Sequence, residues 1–321
     1  MTVDHESRQA LDGFEVVLGD VLDARDRIVS HVTRTPLRPS QALSRAAGGQ
    51  ILLKLECLQV TNSFKARGAA NAVLRLPLPG SLIVTASGGN HGRAIAWAAE
   101  RFGHRAIVFT PRTAPRAKTE AILAHGAELR ADAGSYDEAE RLAREAAVEP
   151  GATFISPYNH PHVIAGQGTI GLELFDQDPA LDAIVVPIGG GGLISGVAVA
   201  AKALWPSIRV VGVEAERSAA FTAALAAGRL VEITVGSTVA DGLGGNVEAE
   251  TMTWPFVRGL VDEVVTVTED EIVAAMRHLS DAEAMVAEGA GATALAAVRS
   301  GRTDVAGQRV AVLVTGGNVD R

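Results

Sequence analysis

Short apolar runs bounded by glycine, proline or asparagine recur along the chain, at Ile51-Leu55, Leu82-Ala86, Ala106-Thr110, Thr153-Ile155, Ala183-Ile188, Arg209-Val213 and Arg309-Val314. Runs of that length with no polar alternation read as strands buried on both faces. Between them lie alanine-rich segments with helical spacing, among them Gly92-Phe102, Pro115-His125, Tyr136-Ala147, Leu193-Leu204 and Glu269-Leu279. Strand and helix in alternation predict an α/β protein with parallel sheets covered by helices. The alternation comes in two series, one around residues 80 to 155 and one from about 183 onward, so two α/β domains are expected. Open α/β sheets bind ligands beyond the carboxyl ends of their strands, which directs attention to the glycine-rich segments that follow strands.

The first such segment is Gly189-Gly-Gly-Gly-Leu193. Consecutive glycines let backbone N–H groups converge on an anion, and the following helix adds its partial positive charge. It lacks the lysine and hydroxyl of a P-loop, and a bare strand-to-helix turn is the plain alternative. The second is Ser63-Phe-Lys-Ala-Arg-Gly68, where a lysine near a helix start is a candidate nucleophile. Most lysines are simply solvated surface charges. The third is Ser87-Gly-Gly-Asn-His-Gly92, whose small residues leave N–H groups free for a carboxylate while Asn90 offers an amide. His91 there fits either a structural hydrogen-bonding residue or a base.

The remaining composition narrows the classes. The chain has 321 residues, 47% hydrophobic and 21% charged, enough apolar mass for two cores. Its only cysteine, Cys57, excludes an internal disulfide and a cysteine-cluster metal site, which fits a reducing cytosol. A net charge of −8 argues against nucleic acid or an anionic membrane as partner. No apolar run reaches membrane-spanning length, and Asp4, Glu6, Asp12 and Glu15 make the start unlike a secretory signal, so a cytoplasmic protein is expected.

Taken in order, the motifs resemble those of the fold-type II pyridoxal-phosphate enzymes, in the threonine dehydratase and serine racemase branch. The resemblance runs through Thr35-Pro-Leu37, Leu53-Lys-Leu-Glu56, Thr61-Asn-Ser-Phe-Lys-Ala-Arg-Gly-Ala69, Thr85-Ala-Ser-Gly-Gly-Asn-His-Gly92, Ala165-Gly-Gln-Gly-Thr-Ile-Gly-Leu-Glu173, Gly189-Gly-Gly-Gly-Leu193, Val211-Gly-Val-Glu214, Ala240-Asp-Gly-Leu243, Glu288-Gly-Ala-Gly291 and Thr315-Gly-Gly-Asn318. It implies a large cofactor domain from residues 1–72 and 161–321, and a small mobile domain, 73–160, that receives the substrate carboxylate. It also implies pyridoxal 5'-phosphate held by Lys65 as a Schiff base. Phe64 would pack on the ring, Asn90 would meet its 3-hydroxyl and Thr315 its nitrogen. Gly189, Gly190, Gly191, Gly192 and Leu193 would hold the phosphate, with Glu288 nearby. Ser87, Gly88, Gly89, Asn90 and His91 would receive the substrate, and Gln167 and Gly168 would line the same cleft.

The implied activity is dehydration of a 3-hydroxy-L-amino acid, threonine or serine first, to a 2-keto acid and ammonia, by a catabolic enzyme without an allosteric domain and assembled as a homodimer. Lys65-Ala-Arg67 and Asn90-His91 set the chain apart from cysteine synthases. Serine racemases carry a serine where Gly88 stands, which disfavours a two-base racemase. Their cation site pairs a residue matching Glu214 with an aspartate six positions later, here Ala220, so no metal is expected. Other open readings are a dehydratase for 3-hydroxyaspartate, phenylserine or a hydroxyectoine-breakdown intermediate, and a small-ligand-binding Rossmann-like protein that would not need Lys65.

Overall fold

The computed structural model describes residues 14–77 and 79–319. Strands β1 (Leu37–Pro39), β2 (Gln50–Leu55), β7 (Ala183–Pro187), β8 (Arg209–Ala215), β9 (Glu263–Val267) and β10 (Arg309–Val314) form one sheet in the order β1-β2-β10-β7-β8-β9. All neighbours are parallel except β1, which runs against β2. Strands β3 (Leu82–Ala86), β4 (Arg105–Pro111), β5 (Glu128–Ala133) and β6 (Ala152–Phe154) form a second, parallel sheet in the order β5-β4-β3-β6.

The apolar runs are unbroken because the central strands bury both faces. In β7 and β10, Ile184, Val186, Ala311 and Leu313 enter one core, while Ala183, Val185, Val310, Val312 and Val314 enter the other. The first core is closed by helices α1 (Leu18–Ile28), α7 (Pro161–Gln177), α8 (Gly192–Leu204) and α10 (Thr253–Leu260). The second is closed by α2 (Gln41–Ala47), α11 (Glu269–Glu283) and α12 (Gly289–Arg299), whereas α9 (Ala220–Ala227) sends Phe221 into the first core. Around the small sheet, α3 (Lys65–Val73), α4 (Asn90–Phe102) and α5 (Arg116–Leu123) cover one face and α6 (Tyr136–Ala146) the other. Residues of α3 and Val163 of α7 sit in the small sheet's core, so these two helices join the two sheets.

The interior strands match their expected positions, with β3 and β10 agreeing to the residue. Three strands escape the apolar-run criterion. β5 alternates exposed and half-buried residues, β9 is half-buried for most of its length, and β1 is a three-residue strand ending in proline. All three are edge strands, where one side faces solvent and the continuous apolar signal disappears. No described helix is long and apolar enough to cross a membrane.

Candidate active site

The carboxyl ends of β2, β7 and β10 and the carboxyl end of β3 open on a single cavity of about 570 Å³, a size ordinary for small-molecule sites. Lys65 is the first residue of α3. The turn before it is stitched to the end of β10, since the Phe64 N–H donates to the Thr315 carbonyl (3.0 Å) and the Gly317 N–H to the Asn62 carbonyl (2.9 Å). That stitch is why Thr315 stands beside a lysine 250 positions earlier. Asn62 takes φ +56°, a left-handed conformation that asparagine tolerates better than most residues. The Lys65 Nζ donates to the Pro157 carbonyl at 2.8 Å and lies 5.1 Å from the centre of the Phe64 ring. Burial lowers its pKa to about 8, because a charged ammonium loses hydration there.

The glycine loop follows β7. In α8 the first N–H to find an acceptor is that of Ser195, bonded to the Gly191 carbonyl at 3.0 Å, so the amides of Gly192, Leu193 and Ile194 have no protein acceptor among the described residues. The glycines are also sterically required. A Cβ on Gly190 would come within 2.3 Å of the Tyr158 ring, one on Gly192 within 2.8 Å of the Tyr158 backbone, and Gly191 holds φ +86°. Tyr158 therefore backs the loop and keeps its amides turned toward the cavity.

The loop Ser87 to Gly89 leads into α4 in the same way. The Arg93 N–H is the first to bond within that helix, to the Gly89 carbonyl at 3.1 Å, which leaves the Asn90, His91 and Gly92 amides without an acceptor among the described residues. Asn90 is oriented by its neighbours: Asn318 Nδ2 donates to its Oδ1 at 2.7 Å, and its Nδ2 donates to Glu288. Arg93 in turn donates to Asn318 Oδ1 at 2.6 Å. The buried His91 has Nε2 3.2 Å from the Ile155 carbonyl, and its pKa is lowered to about 3, first by burial and then by Lys65. It is a neutral ring at physiological pH and brings no positive charge to a substrate carboxylate.

Phe64, Lys65, Ser87, Gly88, Gly89, Asn90, His91, Gly189, Gly190, Gly191, Gly192, Leu193, Glu288 and Thr315 all line this cavity. Gln167 and Gly168 do not, which corrects their expected place. They lie inside the packing of α7 against its neighbours: a Cβ on Gly68 would meet Gln167 Nε2 at 2.5 Å, and one on Gly168 would meet the Gly196 carbonyl at 2.8 Å. The segment around them is instead structural support. Small residues let α7 approach α3 and α8 closely, and Glu173 joins a buried ionic cluster in which Arg67 bonds both Glu56 (2.8 Å) and Glu173 (2.7 Å) while Lys54 bonds Glu173 at 2.6 Å. Glu214 is likewise occupied, accepting from the Phe221 and Thr222 amides and the Thr222 hydroxyl at 2.6 to 2.8 Å at the start of α9.

The cavity is also walled by Asp241, Gly242 and Leu243 of the Ala240-Asp-Gly-Leu243 motif, and by residues that motif reading did not single out: Tyr136, Pro157, Tyr158, and the loop from Gly244 to Glu248. A signal existed for Tyr136, which follows the helix-capping Ser135, whose side chain accepts from the Glu138 N–H. Taken together, a glycine cup at one helix start, a lysine of lowered pKa, an aromatic ring beside it and a hydroxyl just past the end of β10 fit an aromatic aldehyde carrying a phosphate.

Comparison with known proteins agrees. Residues 28–316 match the model of the pyridoxal-phosphate dependent enzyme family. The chain is 42% identical over 307 residues to the L-threonine ammonia-lyase of Thermotoga maritima, covering 95% of this chain and 76% of that one. It is 40% identical to the catabolic L-threonine dehydratase of Staphylococcus aureus, over 95% of this chain and 90% of that one. The solved structure of maize serine racemase superposes with a TM-score of 0.90 at 37% identity, covering 96% of this chain and 95% of that one. With the family model spanning most of its length and these likenesses running through both sheets, the chain belongs to the pyridoxal-phosphate-dependent enzymes of fold type II.

Proposed function

We propose that the protein is an ammonia-lyase that dehydrates a 3-hydroxy-L-amino acid, threonine or serine, to a 2-keto acid and ammonia. The observation that carries this reading is the convergence in one cavity of the Lys65 amine with two separate helix starts, α8 and α4, each presenting unbonded amides. Two anions can be held there at once: a phosphate at Gly189 to Leu193 and a substrate carboxylate at Ser87 to His91. Phe64, Lys65, Asn90, Glu288 and Thr315 would complete the cofactor's surroundings. Bound pyridoxal phosphate supplies an electron sink for charge developing at the substrate Cα.

The chain's own residues do the rest. An amine of pKa about 8 is free in an appreciable fraction near neutrality, so Lys65 is the group placed to take the Cα proton. The Pro157 carbonyl holds that amine at 2.8 Å, and Tyr158 fills the space behind the glycine cup. Loss of the Cα proton and departure of the β-hydroxyl as water leave an enamine, whose hydrolysis gives the 2-keto acid and ammonia. Residues 73–160 would act as the unit that closes on the carboxylate. A cytoplasmic homodimer is part of the same reading, which light scattering tests.

Incubating the holoenzyme with a panel of 3-hydroxy amino acids and measuring keto acid and ammonia tests the activity. Lys65→Ala is expected to lose both the visible absorbance of the bound cofactor and all turnover. Elimination at wild-type rate by that variant would overturn the assignment. The likeness to a serine racemase keeps racemisation as a second reading. Against it stands the packing at Gly88, where a side chain would have Thr110 Oγ1 only 2.6 Å from its Cβ and Ala114 Cβ at 3.0 Å, so the loop has no room for an added hydroxyl.

A further inference from the structure

We propose that this cavity admits 3-hydroxy amino acids with an uncharged side chain and excludes those with a side-chain carboxylate, the selection being made by Asp137, Glu140, Asp241 and Glu248. The inference rests on the reading of the cavity as the amino-acid site and narrows the substrate class within it. Five carboxylates line the cavity, these four and Glu288, against two amines, Lys65 and Lys118. Neither amine is available as a counterion. Lys65 is the proton-moving group, and Lys118 is already bonded to Asp241. His91, the cavity's imidazole, is held neutral.

The carboxylates themselves are under-compensated. Glu140 and Glu248 share one guanidinium, that of Arg144, at 2.6 and 2.9 Å. Glu248 Oε1 is buried without a partner, and Asp137 makes no ion pair among the described residues. A second substrate carboxylate entering this space would lose hydration, meet like charge and find only cations already paired with these acids, and each of these effects opposes binding. The α-carboxylate avoids that penalty by docking on the free amides of α4. A hydrogen or methyl at the β-carbon carries no charge and incurs none of it.

The test uses three amino acids that share a backbone, lack a β-hydroxyl and so bind without eliminating water: L-2-aminobutyrate, L-aspartate and L-2,4-diaminobutyrate. Each is titrated into the holoenzyme and its Kd read from the change in visible absorbance of the bound cofactor. Aspartate is expected to bind at least about tenfold more weakly than 2-aminobutyrate, a ratio equal to one pKa unit of interaction, whereas diaminobutyrate binds no more weakly than 2-aminobutyrate. Size alone would penalise both charged ligands equally, and that result overturns the proposal, as does aspartate binding as tightly as 2-aminobutyrate. Asp137→Asn combined with Glu248→Gln should shrink the aspartate penalty several-fold, and an unchanged ratio would remove those two residues from the selection. Keto acid formation from L-threonine and L-serine is measured on the same preparation. Absence of that activity with the charge order intact counts against the dehydratase reading alone, whereas activity on threonine with equal activity on 3-hydroxyaspartate counts against the charge selection alone.

Discussion

At the scale of single residues the chemistry turns on how burial sets the state of two groups. Lys65 is lowered from 10.5 to about 8 because its ammonium form loses hydration, so below pH 8 the amine is mostly protonated and non-nucleophilic, and above it mostly free. The rate at which apoprotein takes up pyridoxal phosphate should therefore rise with pH and reach half its plateau near 8. Stopped-flow absorbance measures this, and a midpoint near 10.5 would show a solvated lysine. Gly88 gives the second residue-scale expectation. With Thr110 Oγ1 2.6 Å from the site of an added Cβ, Gly88→Ser alone should lower kcat/KM for L-serine without yielding D-serine. Gly88→Ser with Thr110→Ala gives the new hydroxyl room, and D-serine should then be detectable by chiral chromatography. Abundant D-serine from the unaltered protein would mean that a base other than Lys65 already serves the opposite face.

At the scale of helices and strands, what was legible in the sequence depended on how completely an element is buried. β7 and β10 read as continuous apolar runs because their side chains alternate between two cores, both dry. β5, with the sequence Glu-Leu-Arg-Ala-Asp-Ala, did not, because an edge strand over the small sheet shows solvent on one side. The same distinction governed the site. The Ser87 loop and the glycine cup each follow a strand directly, so local order along the chain was enough to place them, whereas Lys65 lies past a 3-10 turn after β2 and is set by the stitch to the end of β10. Tyr136, Tyr158 and Glu248 reach the cavity only through the approach of separate elements, which no local spacing records. Gln167 and Gly168 show the converse: the family resemblance implies a cleft lining, whereas in the structure they lie in the contact of α7 with its neighbouring helices. Gly168→Ala should accordingly destabilise the protein by about 1–3 kcal/mol, through overpacking against the Gly196 carbonyl and Val21, and lower the thermal midpoint by several degrees. The absorbance maximum of the holoenzyme should stay unchanged, since the residue is remote from the cavity. An unaltered midpoint would mean that α7 and α8 are less tightly packed than their contacts indicate.

At the scale of the whole molecule the two sheets meet across the cavity through polar links rather than a shared core. Lys118 on α5 bonds Asp241 in the loop between α9 and α10, and Arg144 on α6 bonds Glu248 of the same loop. Elsewhere α3 and α7 join the sheets through apolar contacts and the buried Arg67 cluster, so one side of the cleft is fixed and the side at the cavity mouth is held by ion pairs. Asp241 is 53% exposed and Arg144 46% exposed, and pairs at such exposure contribute about 0–1 kcal/mol each and weaken with salt. Contacts of that strength can bias closure over the substrate without locking it. Lys118→Ala is thus expected to raise KM for the amino-acid substrate about two- to five-fold, the equivalent of losing one such pair, with a smaller effect on kcat. About 0.5 M sodium chloride, where the Debye length falls well below 10 Å, should raise the wild-type KM in the same direction and raise that of Lys118→Ala less. Steady-state kinetics of both proteins across a salt series decides it. Identical KM values with identical salt dependence would place the Lys118 pair outside the closing motion, and leave Arg144 with Glu248 as the contact to examine at the mouth.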